Sequence, residues 1–125
     1  MDKAWKRFER RIAERFKELD PEARRCPVAD QATNNDIVTT LPFGIECKHR
    51  KRLPDWIRDA WAQCRANSPE NKTPLVVFGE HGTTNDFVLL SLDDFIAREK
   101  ELASERSLRK FYQTGEGNDR PYLRR

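Results

Sequence analysis

Apolar residues along this chain fall into separate blocks with different periods. Over residues 3–19, Trp5, Phe8, Ile12, Phe16 and Leu19 recur at three- and four-residue spacing. That period predicts an amphipathic helix, which Asp20-Pro21 ends. Glu9 projects between Trp5 and Phe16, at the edge of the apolar stripe, and a carboxylate in that position needs a partner. Residues 21–33 carry no such pattern and read as irregular, with Val28 the earliest candidate for a strand start. The stretch Asn34–Lys48 then alternates at a period of two around Leu41-Pro42. Phe43, Ile45 and Cys47 fall on one side, with Gly44, Glu46 and Lys48 on the other, which predicts a strand. With Leu41-Pro42 as the turn of a hairpin, the strand that Asp36 opens runs antiparallel to Phe43–Lys48, and Asp36 lies next to Glu46.

The second half of the chain follows the same logic. Pro54–Asn67 predicts a helix whose inner face is Ile57, Ala60, Trp61 and Cys64. Trp56 lies off that stripe and reads first as a core residue. Pro74–Phe78 is a continuous apolar run, expected to be a central strand covered on both faces, and Phe87–Leu90 is the returning strand. His81, in the turn-rich loop between them, reads as a surface residue. Ser91 followed by Asp94 marks a helix start. Residues 92–112 form the last helix, with Phe95, Ile96, Leu102 and Leu108 turned inward. The order of elements predicts an α/β fold with a mixed central sheet of about five strands flanked by helices. Residues 1–114 make a single domain, and 115–125 a mobile basic tail.

Composition narrows the picture. Charged residues make up 36% and hydrophobic residues 37% of the 125, and the apolar ones are concentrated in runs, so the chain folds. The net charge of +3 includes 24 Lys and Arg, several of them clustered. Cys26, Cys47 and Cys64 form no CxxC pair and are odd in number, which suits a reducing cytoplasm and argues against a disulfide framework or a zinc site. No apolar run reaches membrane-spanning length, and no signal-peptide core is expected at the N-terminus.

The chemistry concentrates between residues 36 and 48. Glu46 and Lys48 leave the same face of one strand, and Asp36 adjoins them. Two carboxylates that close repel unless a cation separates them, and an oxygen-only ligand set of this kind suits Mg²⁺. Asp36, followed after nine residues by Glu46-Cys47-Lys48, resembles the active site of the PD-(D/E)XK, or restriction-endonuclease-like, nucleases, although Asn35 stands where members often carry Pro. Asp30 competes with Asp36 for the upstream acidic place but lacks the β-patterned context.

The resemblance implies a five-stranded sheet between helices and a metal-dependent endonuclease. Asp36, Glu46 and the backbone carbonyl of Cys47 would hold Mg²⁺, with Mn²⁺ as a substitute. Lys48 would activate water and offset charge in the transition state. Glu9 matches a first-helix Glu that joins the metal site in the junction-resolving branch. Gln63 matches a helical Gln that positions water or substrate. The layout looks most like the Holliday junction resolvase branch, which implies branched DNA and a homodimer in recombination, repair or phage DNA processing. Arg10 and the cluster His49-Arg50-Lys51-Arg52, leaving the strand of the proposed site, are the expected DNA contacts. The competing reading is a catalytically inactive DNA-binding or interaction module on the same fold.

Overall fold

A computed structural model of the chain describes residues 3–27 and 35–114. Val28, Asp30 and the basic tail from residue 115 lie outside the described residues. In chain order the elements are α1 (Ala4–Phe16), β1 (Arg24–Arg25), β2 (Ile37–Val38), α2 (Asp55–Asn67), β3 (Val76–Gly79), β4 (Asp86–Leu89) and α3 (Leu92–Thr114). They divide into two compact units, Met1–Leu90 and Ser91–Arg125.

The expected central sheet of about five strands is not what the chain builds. The described residues form three helices and two separate two-stranded sheets, β1 with β2 and β3 with β4, both antiparallel. The reason lies in how short and how local the pairings are. β1 and β2 are two residues each, and the run after Pro42 joins β2 through one isolated bridge, Ile37↔Ile45. β3 and β4 pair only with each other, in the register Val77↔Val88 and Phe78↔Phe87. The apolar run at β3 is therefore a hairpin strand and not a covered central one, with Val77 68% exposed. Gly82 takes φ +78 in the hairpin loop, a left-handed conformation that suits glycine, and His81 beside it is exposed.

In the first unit the core is Ala13, Phe16, Ala23, Cys26 and Ile37. The buried face of α1 is rotated from the expected stripe. Its buried residues are Glu9, Ala13 and Phe16, while Phe8 and Ile12 are half-buried and Trp5 is exposed. Glu9 thus sits on the buried face rather than at its edge. Burial is tolerated because Arg25 of β1 donates Nε–H to Glu9 Oε1 at 2.6 Å, and the Arg25 guanidinium lies 5.4 Å from the Trp5 ring centroid. β1 itself, in a segment that looked irregular, is held by the register Arg24↔Val38 and Arg25↔Ile37.

Asp20 fixes the end of α1 to the turn after β2. Its backbone N–H donates to Phe16 O at 3.0 Å. Its Oδ2 accepts from the Thr39 hydroxyl at 2.6 Å and from the Thr40 amide at 2.8 Å, and its Oδ1 accepts from the Glu22 amide at 3.0 Å. The Thr39 hydroxyl above all, then the Thr40 and Glu22 amides, hold the Asp20 carboxyl below its ordinary range, against an opposing effect of burial. A carboxyl lowered by folding adds stability that is fully present above its unfolded value, about pH 4, and is lost as pH falls through the folded value. Asp20→Asn is therefore expected to lower the thermal midpoint at neutral pH and to flatten its acid-side decline, measured by thermal unfolding across pH. An unchanged acid limb would remove Asp20 from that role.

α2 presents Ile57, Ala60, Trp61 and Cys64 half-buried, as its periodicity predicts. Trp56 is 53% exposed rather than a core residue, and its ring meets Phe78 edge-on with centroids 5.3 Å apart. In the second unit, Ser91 caps α3. Asp94 N–H donates to Ser91 Oγ at 3.1 Å and Ser91 Oγ donates to Asp94 Oδ2 at 2.9 Å. Ile96 is buried, but Leu102 and Leu108 are exposed.

Candidate functional site

The reversal between Val38 and Ile45 brings the segment that carries Glu46 back beside the one that carries Asp36. β2 pairs with β1 through Ile37↔Arg25 and meets the following segment through the antiparallel bridge Ile37↔Ile45. Asp36 precedes and Glu46 follows the bridged residues, and the side chain that reaches Glu46 is that of Asn35. Asp36 is tied in by three contacts. Its amide donates to Ile45 O at 3.0 Å, its carbonyl accepts from Cys26 N–H at 2.8 Å, and its Oδ2 accepts from Cys47 N–H at 2.7 Å. The carboxylate position is thereby set by the backbone of the segment that carries Glu46 and Lys48, which forms a single bridge at Ile45 and not the expected strand.

The alternation predicted for that strand is present in its burial. Phe43, Ile45 and Cys47 are half-buried, and Gly44, Glu46 and Lys48 are exposed. Glu46 Oε1 accepts from Asn35 Nδ2 at 2.8 Å. A Cβ on Gly44 would lie 2.6 Å from Asn35 Oδ1, so glycine at this position leaves Asn35 the room from which it reaches Glu46. No ion pair with the described residues engages Lys48, and the expected neighbour Glu46 is instead held by Asn35.

Burial pushes the Cys47 thiol up to about 11, and the Asp36, Glu9 and Glu46 carboxylates each push in the same direction. At about pH 8.5, where an unperturbed thiol is half ionised, alkylation of Cys47 is expected to be on the order of a hundredfold slower in the folded protein than in the unfolded chain. Peptide-resolved mass spectrometry after iodoacetamide treatment measures this, and equal rates would contradict the crowding of acids around Cys47.

The other predicted residues are less closely joined to this centre. Glu9 Oε1 is engaged by Arg25, and both side chains are largely buried. Gln63 is exposed on α2 and makes no hydrogen bond to Asp36 or Glu46. Arg10 is exposed on α1. His49, Arg50, Lys51 and Arg52 are all exposed after Lys48; Arg52 Nη2 donates to Asp55 Oδ1 at 3.0 Å, and His49 stacks on Phe8 with centroids 5.1 Å apart. Among the described residues, no group of three or more His, Cys, Asp and Glu side chains is arranged to hold a metal ion.

Two residues escaped the sequence reading. Asn35 stands in the sequence only as a departure from a motif, and its bond to Glu46 depends on a register that the sequence does not show. Arg25 gave no signal, because a two-residue strand has no period. No helix among the described residues is long and apolar enough to cross a membrane. Comparison with protein-family models, with curated proteins and with solved structures finds no match for this chain.

Proposed function

We propose that this chain is a divalent-metal-dependent endonuclease that hydrolyses DNA phosphodiester bonds. The reading rests on the site and not on the fold. The observation that carries it is the Ile37↔Ile45 bridge with Asp36 and Glu46 beside it and Lys48 exposed on the Glu46 side. The donor set fits the metal. Asp36 and Glu46 offer carboxylate oxygens and Cys47 a backbone carbonyl, all hard ligands, and Mg²⁺ typically takes one or two carboxylates and keeps several waters. These three residues would hold it, and when bound it polarises a phosphate and acidifies a water.

The chain's own residues do the rest. The Cys47 amide holds Asp36 in place, and Asn35 holds Glu46. Lys48 takes a proton from, or orients, the attacking water and offsets the negative charge that grows on the phosphate. Arg50 and Lys51, exposed beyond it, neutralise neighbouring phosphates. Glu9, with Oε1 held by Arg25, contributes to the field around Cys47. Branched DNA is the proposed substrate, in recombination, repair or phage DNA processing within the cytoplasm. A two-fold symmetric junction requires paired cuts, so the proposal includes a homodimer.

Asp36→Asn tests the site directly, since it keeps the side chain's size and removes one carboxylate. Cleavage in the presence of Mg²⁺ is expected to fall by at least about a hundredfold, the scale on which catalytic electrostatic groups act. Cleavage at the wild-type rate would remove Asp36 from the mechanism. A second reading, a catalytically inactive DNA-binding module, is favoured by one observation: Glu9 is tied to Arg25, which leaves only two side-chain carboxylates for a metal. DNA binding without metal-dependent cutting would select it.

A further inference from the structure

We propose that the cleft between the first turns of α1 and His49 holds a single unpaired nucleotide, its base stacked and its phosphate paired with arginine. The inference rests on the nucleic-acid reading above and narrows the substrate class, to a strand with an unpaired nucleotide beside the cut. The cleft has a volume of about 220 Å³ and is lined by Ala4, Arg7, Phe8, Arg11 and His49. That is below the roughly 300–1,000 Å³ of sites for drug-sized ligands, so it suits a fragment the size of one base.

Its chemistry is aromatic and cationic, with no acidic residue in the lining. The His49 ring stacks on Phe8 at 5.1 Å with 26° between planes. The Arg11 guanidinium lies 5.2 Å from the Phe8 centroid. Flat groups of this kind are what hold bases of single strands, because every base has a π-face. His49 and Arg11 are both exposed, so a base can add to the stack. Arg11 lines the cleft and is exposed, so its guanidinium is the group that a phosphate entering with the base would meet. Arg10, the residue expected from the sequence, does not line this cleft.

The cleft also adjoins the proposed active strand, since His49 directly follows Lys48. A base paired inside a duplex cannot enter such a cleft without leaving its stack. A nucleotide at a branch point or in a single strand enters without that cost.

The test is fluorescence anisotropy in EDTA, with a ten-nucleotide thymidine strand and the same strand carrying abasic sugars throughout. Wild-type protein is expected to bind the thymidine strand on the order of tenfold tighter than the abasic one. His49→Ala and Phe8→Leu should bring the two within about twofold, and Arg11→Gln should weaken both strands. His49 is exposed, so His49→Ala keeps the test decisive should Phe8→Leu fail to fold. Equal wild-type affinity for the two strands overturns the inference, as does a folded His49→Ala protein that still discriminates. Measuring Mg²⁺-dependent cleavage of duplex and branched DNA in parallel separates the two readings. Cutting without base discrimination overturns the cleft alone, whereas base discrimination without cutting supports the cleft and overturns the nuclease. Loss of both overturns both.

Discussion

Lys48→Ala is expected to lower Mg²⁺-dependent DNA cleavage by about 10²–10⁴-fold, the range over which a positioned proton-transfer group acts. The fold should be indifferent to the change. Lys48 is exposed, and no ion pair with the described residues depends on it. Surface substitutions of that kind shift stability by less than about 0.5 kcal/mol. The half-buried side of the same strand, through Phe43, Ile45 and Cys47, is untouched. Single-turnover cleavage, together with an unfolding curve for the same variant, checks both parts. A folded Lys48→Ala protein that cuts DNA at the wild-type rate would sink the role of Lys48. Lys48→Arg should retain charge stabilisation but not proton transfer, so an intermediate rate is expected.

Arg25→Ala is expected to cost about 3–5 kcal/mol of stability, because it leaves the Glu9 carboxylate buried without its counter-charge. Glu9 is 6% exposed and accepts from Arg25 Nε at 2.6 Å. Arg25 Nη2 is itself buried without a hydrogen-bond partner among the described residues, so the pair is imperfectly satisfied. Replacing both residues together, as Glu9→Gln with Arg25→Met, should therefore cost less than the two single changes summed. Urea unfolding of the four proteins measures this. If Arg25→Ala costs less than about 1 kcal/mol, Glu9 reaches water and the pair is no more than a surface bridge. Since the Glu9 carboxylate is committed to Arg25, Glu9→Gln should change stability and leave the Mg²⁺ concentration for half-maximal cleavage largely unaltered.

The local elements were legible where periodicity is strong and the segment is long enough to show it. α2 half-buries the face its spacing turns inward, and Ser91 and Asp94 form the cap their spacing requires. The chain reversal around Leu41-Pro42 was legible too, because alternation there permits few registers and the antiparallel bridge at Ile37↔Ile45 realises one of them. The sheet was not legible. Apolar runs such as Pro74–Phe78 read alike in a covered strand and in a hairpin with an open face, and the exposure of Val77 and Val88 decides for the hairpin. The rotation of α1 was hidden for a different reason. Its buried face contains a carboxylate, and only a partner sixteen residues away, Arg25, makes that burial tolerable.

Asp36, Glu46 and Lys48 are proposed to form a metal-dependent site for cutting DNA. The most direct measurement is cleavage by the wild-type protein of linear duplex, single strand, flap and four-way junction, each with Mg²⁺ and with EDTA. The expected result is cutting with Mg²⁺ alone, strongest on branched DNA, with paired symmetric cuts in the junction. A folded protein that cuts none of the four substrates with Mg²⁺ or Mn²⁺ would contradict it.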